Sequence, residues 1–216
     1  MMNPHNQRFD WDLFWEFPAI GILRGFETDL VSEIGNECFE AGLKNIEVTL
    51  NTDNAFSQIK NLADLSNKRA NVGAGTVLDR RGLDLALEAG ASFIVSPVVD
   101  IELIHYCSEN GVPIFPGAYT PTEVWKAWDT GAPVVKLFPA NVGGPDYLKA
   151  IKGPLDDVKI LAVGSVTLQK TSDCLASGAC GVGLGSPLFD QSRMLAKDWS
   201  WLRKQIHEFS QINWNV

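Results

Sequence analysis

Eight short β-branched or apolar runs recur along the chain. They begin near Ala19, Asn45, Asn71, Phe93, Pro113, Pro133, Lys159 and Gly181, with successive starts 20 to 26 residues apart. One strand, one helix and two short loops fill that spacing. The segments between the runs read as helices, among them 29–41, 100–110, 121–130, 167–177 and 197–209. Five of these gaps end in the same way, with a glycine at Gly42, Gly90, Gly111, Gly131 or Gly178 just before the next run. Glycine past a helix end takes the left-handed conformation that stops the helix. Repeated in register, the signal predicts a βα repeat. Eight units predict an α/β fold, a (β/α)8 barrel of the TIM-barrel type. An open doubly wound sheet competes, but no GxGxxG motif follows the first run.

The 216 residues read as one domain, 1–216, at the small end for a barrel. Residues Phe9 to Phe17 (FDWDLFWEF) precede the first strand and read as an extra amphipathic N-terminal helix. Its expected place is over the N-terminal end of the barrel. Trp199 and Trp201 are expected to pack the last helix on the barrel. Trp125 and Trp128, three apart, read as core or helix-interface residues.

A formal charge of −8 argues against a nucleic-acid partner for the surface as a whole, while leaving room for a local basic pocket. No apolar run approaches the roughly 20 residues of a membrane span. Residues Met1 to Asp10 are polar and carry no signal-peptide apolar region, so a cytoplasmic location is expected.

Cys38, Cys107, Cys174 and Cys180 form no CxxC pair and read as reduced packing residues. His5, His105 and His207 are not placed for a metal site or a Ser-His-Asp triad. No metal and no cofactor is expected, and any chemistry falls to carboxylate, lysine or arginine.

Barrel active sites lie at the C-terminal strand ends. There, run one ends in Arg24. Run two alternates Glu47, Thr49 and Asn51 on one face with Ile46, Val48 and Leu50 on the other. Run three ends at Thr76, run four carries Ser96, and Tyr119 and Thr120 follow run five.

Lys136 is the sharpest feature, set in the apolar run PVVKLFP. Desolvation disfavours the ammonium form, and a free amine attacks carbonyls to form a Schiff base. The competing reading is a snorkelling or ion-paired lysine. Lys159 falls at a strand start, the wrong end of the barrel.

Glu47 is a carboxylate inside a strand-like run. It reads equally as a structural partner of Lys136 or Arg24 and as a general acid/base. Glycine turns at Gly164-Ser165 and Gly185-Ser186 follow runs seven and eight, where barrels often bind phosphate. Each turn alone is also explained by tight geometry. Together these features point to a metal-free lyase acting on a phosphorylated keto sugar acid.

The motifs GILRG (21–25), IEVTLNT (46–52), VGAGTVL (72–78), FIVSPVVD (93–100), IFPGAYTPTE (114–123), VVKLFPA (134–140), LAVGSVT (161–167) and GVGLGS (181–186) occur in this order. In them the chain resembles 2-keto-3-deoxy-6-phosphogluconate (KDPG) aldolase and its relative for the galactonate epimer. The resemblance implies a (β/α)8 barrel, a homotrimer, and cleavage of a phosphorylated 2-keto-3-deoxy sugar acid to pyruvate and glyceraldehyde 3-phosphate. Cleavage of 4-hydroxy-2-oxoglutarate also occurs among related enzymes.

By motif, the resemblance makes Lys136 the Schiff-base lysine and Glu47 the general acid/base. It puts Arg24, Thr49, Asn51, Thr76, Pro97 and Val163 against the substrate, and Gly164, Ser165, Gly185 and Ser186 on the phosphate. Some members have arginine at the position of Asn51; here Arg24 is expected to supply that charge. Ser165 stands where the family usually has a second glycine, which narrows the phosphate pocket. Val163 and Asn51 look more like the galactonate type. A phosphate-binding isomerase or epimerase and a non-catalytic sugar-acid-phosphate binder are the other classes these motifs admit.

Overall fold

The computed structural model describes residues 8–214. Met1 to Gln7, which include His5 and most of the polar leader, lie outside the described residues. Nine parallel strands form the sheet: β1 (Ala19–Leu23), β2 (Asn45–Thr49), β3 (Asn71–Gly75), β4 (Phe93–Val95), β5 (Ile114–Phe115), β6 (Gly117–Ala118), β7 (Val135–Leu137), β8 (Ile160–Val163) and β9 (Gly181–Leu184). Their spatial order is β5-β4-β3-β2-β1-β9-β8-β7-β6.

The two ends of that order are consecutive in the chain, so the sheet closes into a barrel. The fifth run is therefore not one strand but two. Pro116 divides it, and proline has no N–H to give a ladder. Ile114 and Phe115 pair with Ile94 and Val95 on one side. Gly117 and Ala118 pair with Lys136 and Leu137 on the other. The bend at Pro116 is the seam of the ring.

Helices return the chain between strands: α1 (Trp11–Glu16) precedes β1, then α2 (Thr28–Glu40), α3 (Ala55–Ser66), α4 (Arg80–Glu88), α5 (Ile101–Glu109), α6 (Pro121–Asp129), α7 (Ala140–Lys152), α8 (Leu168–Ala176), α9 (Gln191–Leu195) and α10 (Trp199–Ser210). The five stop glycines all have left-handed φ, from 66° to 109°. Helix α6 starts with a capping box: Thr120 accepts from the Glu123 N–H, and the Glu123 carboxylate accepts from the Thr120 N–H.

The core has two layers. Outward strand residues such as Ile46, Val48, Val182 and Leu184 pack on helix residues such as Ile34 and Leu62. Inward residues Ile20, Phe93, Val95, Phe115, Leu161 and Val163 fill the barrel. Phe14 of α1 joins this inner cluster and is fully buried, 5.6 Å from the Phe115 ring centroid. The N-terminal helix thus plugs the lower mouth.

Buried amides fix the plug. Asn71 Nδ2 donates to the Asp10 carbonyl and to Asn45 Oδ1, and Asn45 Nδ2 donates to the Phe17 carbonyl. Trp199 and Trp201 pack α10 on the core, and Trp128 is partly buried there, whereas Trp125 is about half exposed. All four cysteines are free and buried. No helix among the described residues is long and apolar enough to cross a membrane.

Candidate active site

The upper, C-terminal strand ends open onto a cavity of about 680 Å³, within the range of small-molecule sites. Its wall carries Arg24, Glu47, Lys136 and Val163. The same wall includes Gly164, Ser165, Gly185 and Ser186.

Strand alternation places the lysine. Val135 and Leu137 point into the outer core, so Lys136 points into the barrel. It is 6% exposed, and its Nζ lies 4.8 Å from the Phe138 ring centroid. Burial pulls its pKa below the usual lysine value; Glu47 opposes that pull, and the Arg24 cation adds to it.

Glu47 is 2% exposed. Burial pushes its pKa up from 4.5 to about 7, against the opposing pull of Lys136 and Arg24. Its Oε2 is buried with no hydrogen-bond partner. Glu47 takes part in none of the ion pairs among the described residues, which join other side chains, most of them on the surface. Lys136 and Arg24 thus act on Glu47 through their fields, without a direct ion pair among the described residues. A buried, unpaired carboxyl is costly, and such groups concentrate at functional sites.

Gly75 of β3 makes room for this carboxylate. A Cβ there would clash with Glu47 Oε1 and sit 2.7 Å from its Cδ. In the loop after β8, Gly164 has φ +130° and Ser165 φ +48°. A Cβ on Gly164 would lie 2.8 Å from Asn141 Oδ1 and 3.1 Å from the Ala140 nitrogen, so the loop lies against the start of α7. Lys159 is at the opposite mouth, its Nζ 4.8 Å from the Trp15 ring.

Four expected residues are not part of this wall. The alternation of run two stops at Thr49, and Thr52 N–H bonds back to the Thr49 carbonyl. Asn51 consequently sits exposed in a turn rather than on the inward face. Thr49 is fully buried, its hydroxyl 3.1 Å from that of Thr52. Thr76 takes a left-handed φ of +58° as the chain leaves β3, and Pro97 lies past β4, beside Gly117.

Residues 16–205 match the model of the KDPG and KHG aldolases. The chain belongs to this aldolase family.

Among the relatives of this aldolase, the 2-dehydro-3-deoxy-6-phosphogalactonate aldolase of Escherichia coli strain K12 is 34% identical over 175 residues, 81% of this chain and 85% of that one. The 2-dehydro-3-deoxy-phosphogluconate aldolase of Pseudomonas aeruginosa is 40% identical over 160 residues, 74% of this chain and 71% of that one. The crystal structure of KDPG aldolase from Legionella pneumophila, with pyruvate captured at low pH as a covalent carbinolamine, superposes with a TM-score of 0.85. It has 26% identity and covers 92% of this chain and 97% of that one.

Residues of the aldolase cavity that the sequence reading did not single out include Gly25, Phe26, Asn141, Phe189 and Gln191. Asn141 immediately follows the lysine motif, in the first turn of α7, so the strand-end rule could have found it. Phe189 and Gln191 arrive from the chain beyond the last strand, and no local pattern marks them. Among the described residues of the aldolase, no group of three His, Cys, Asp or Glu side chains is arranged to hold a metal ion.

Proposed function

We propose that this protein is a class I aldolase that cleaves 2-keto-3-deoxy-6-phosphogluconate to pyruvate and glyceraldehyde 3-phosphate, with activity on 4-hydroxy-2-oxoglutarate as well. The observation that carries the reading is a buried, ion-pair-free lysine sharing one cavity with a buried, ion-pair-free glutamate. A desolvated amine is nucleophilic, and a carboxyl with a pKa near 7 moves protons in both directions at neutral pH.

Lys136 Nζ attacks the C2 ketone, and loss of water gives a protonated imine. Glu47, directly or through a water, takes the C4 hydroxyl proton. The C3–C4 bond breaks, its electron pair flows into the imine to give an enamine, and glyceraldehyde 3-phosphate leaves. Protonation at C3 and hydrolysis release pyruvate and the free amine. The scheme uses no metal ion and no cofactor. Arg24 holds the substrate carboxylate, and the Gly164-Ser165 and Gly185-Ser186 loops hold the phosphate with backbone N–H groups and hydroxyls. The active assembly is a homotrimer.

A second reading, cleavage of the galactonate epimer, draws support from Val163. Its side chain gives the cavity an apolar wall where a hydroxyl donor would discriminate at C4.

Intact mass after incubation with pyruvate and borohydride tests the mechanism. The wild type gains one reduced pyruvate and Lys136→Ala gains none. No adduct on the folded wild type overturns the aldolase mechanism and favours an isomerase or binder. Rates with the two epimers then decide between the substrates.

A further inference from the structure

The loop that carries Arg24 is clamped from behind by the next βα unit. Gly25 has φ +73°, a conformation that favours glycine, and its N–H donates to Thr52 Oγ1 at 3.0 Å. The Thr52 hydroxyl lies 3.1 Å from that of Thr49. Both threonines are buried, at 7% and 0% exposure.

One residue further, the Phe26 carbonyl accepts from Gln58 Nε2 at 2.9 Å, and the same amide group reaches the Asp53 carbonyl at 3.2 Å. Gln58 is fully buried. Thr49 stands two residues from Glu47 on the same strand face, and a Cβ at Gly75 would touch both side chains. A continuous hydrogen-bonded path therefore joins the strand of Glu47 to the loop of Arg24.

This arrangement is more than packing of two loops. Arg24 is exposed to the cavity and anchored only through its backbone, since no ion pair holds its guanidinium among the described residues. Its field acts on both Glu47 and Lys136. The loop's backbone decides where that field originates.

We propose that the Thr52 hydroxyl, backed by Thr49, is a positioning group that sets Arg24 for the carboxylate of the 2-keto acid. This rests on the aldolase reading. Thr49, expected at the substrate, acts here through the loop instead.

The test compares Thr52→Val with Thr52→Ser, alone and in an Arg24→Ala background, using 2-keto-3-deoxy-6-phosphogluconate or its epimer, whichever the wild type cleaves. Thr52→Val is expected to raise KM by roughly tenfold, the worth of one net hydrogen bond, with kcat changed by less than about twofold. Thr52→Ser, which keeps the hydroxyl, is expected to restore the wild-type KM.

In the Arg24→Ala background, Thr52→Val is expected to add nothing further, because the group it positions is gone. Should Thr52→Val fail to show a cooperative melting transition, Thr52→Ala removes the same hydroxyl with less bulk. An unchanged KM in the hydroxyl-free variant, equal losses in the serine variant, or a full additive loss in the Arg24→Ala background overturns the proposal. Pyruvate–borohydride labelling of each variant at saturating pyruvate keeps the two questions apart. An unlabelled wild type defeats the aldolase reading, whereas labelled variants with unaltered KM defeat only the positioning role.

Discussion

Lys136 on β7 and Glu47 on β2 stand four strands apart in the ring, on opposite sides of the barrel, and line one cavity without forming an ion pair. Each nevertheless feels the other: the lysine lowers the glutamate pKa, and the glutamate raises that of the lysine. Neither charge is neutralised by direct contact, and the Glu47 carboxyl, with a pKa of about 7, has both protonation states accessible near neutral pH.

The acid limb of the pH–rate profile follows from this. Glu47 must be ionised to accept the C4 hydroxyl proton, and its pKa is about 7. We expect kcat/KM to fall about tenfold per pH unit below that value. A limb near the usual carboxylate value of 4.5 would show that another group is the base.

Glu47→Gln is expected to abolish cleavage and to stabilise the fold above neutral pH. The sign is set by the raised folded pKa. A carboxyl with a raised pKa contributes stability below its unfolded pKa of 4.5, and loses it as pH rises through about 7. The glutamine variant carries no such loss. Its advantage over wild type should grow between pH 4.5 and 7 and level off at up to about 3 kcal/mol. Urea unfolding of both proteins at pH 5 and pH 8 measures it.

The same substitution changes the lysine. Glu47 raises the Lys136 pKa, so its removal should lower it further. The rate of pyruvate trapping in Glu47→Gln is then half-maximal at a lower pH than in wild type. A shift to higher pH would contradict the coupling.

Gly75→Ala introduces a methyl where the Glu47 carboxylate sits, 2.7 Å from its Cδ. The carboxylate must move, and Thr49 Cγ2, 3.2 Å from the new methyl, must give by a few tenths of an ångström. Misplacement of about 1 Å in a proton-transfer group costs on the order of 100-fold. We expect kcat to drop by about that factor with labelling of Lys136 by pyruvate preserved, as read by intact mass.

Phe14→Ala tests the plug. Phe14 is fully buried among Ile20, Phe93 and Phe115, and truncating such a ring costs about 3–5 kcal/mol. Because the plug closes the lower mouth, the loss should appear in thermal unfolding and leave KM for the substrate unchanged below the transition.

Much of the site was legible in the chain because its signals are local. A lysine flanked by Val134, Val135, Leu137 and Phe138 is desolvated in any sheet that buries both faces. The stop glycines declare their helix ends without reference to anything distant. Thr49 and Asn51 show where that reasoning stopped. Alternation holds only while the strand continues, and the turn closed by the Thr52 N–H ends it one pair early. Pro116 behaves alike, since its missing N–H marks a break but not which neighbours the two halves join.

The sequence by itself determined the βα repeat, the barrel, the plug helix and the identities of Lys136 and Glu47, since periodicity and burial of a polar residue in an apolar run are short-range facts. Only the tertiary structure decided that those two groups share a cavity unpaired, that Gly75 leaves space for the carboxylate, and that Thr52 of one unit holds the Arg24 loop of another. These are distances between residues remote in the chain. They are set by how the ring closes and how its strands stagger, and no single segment carries that information.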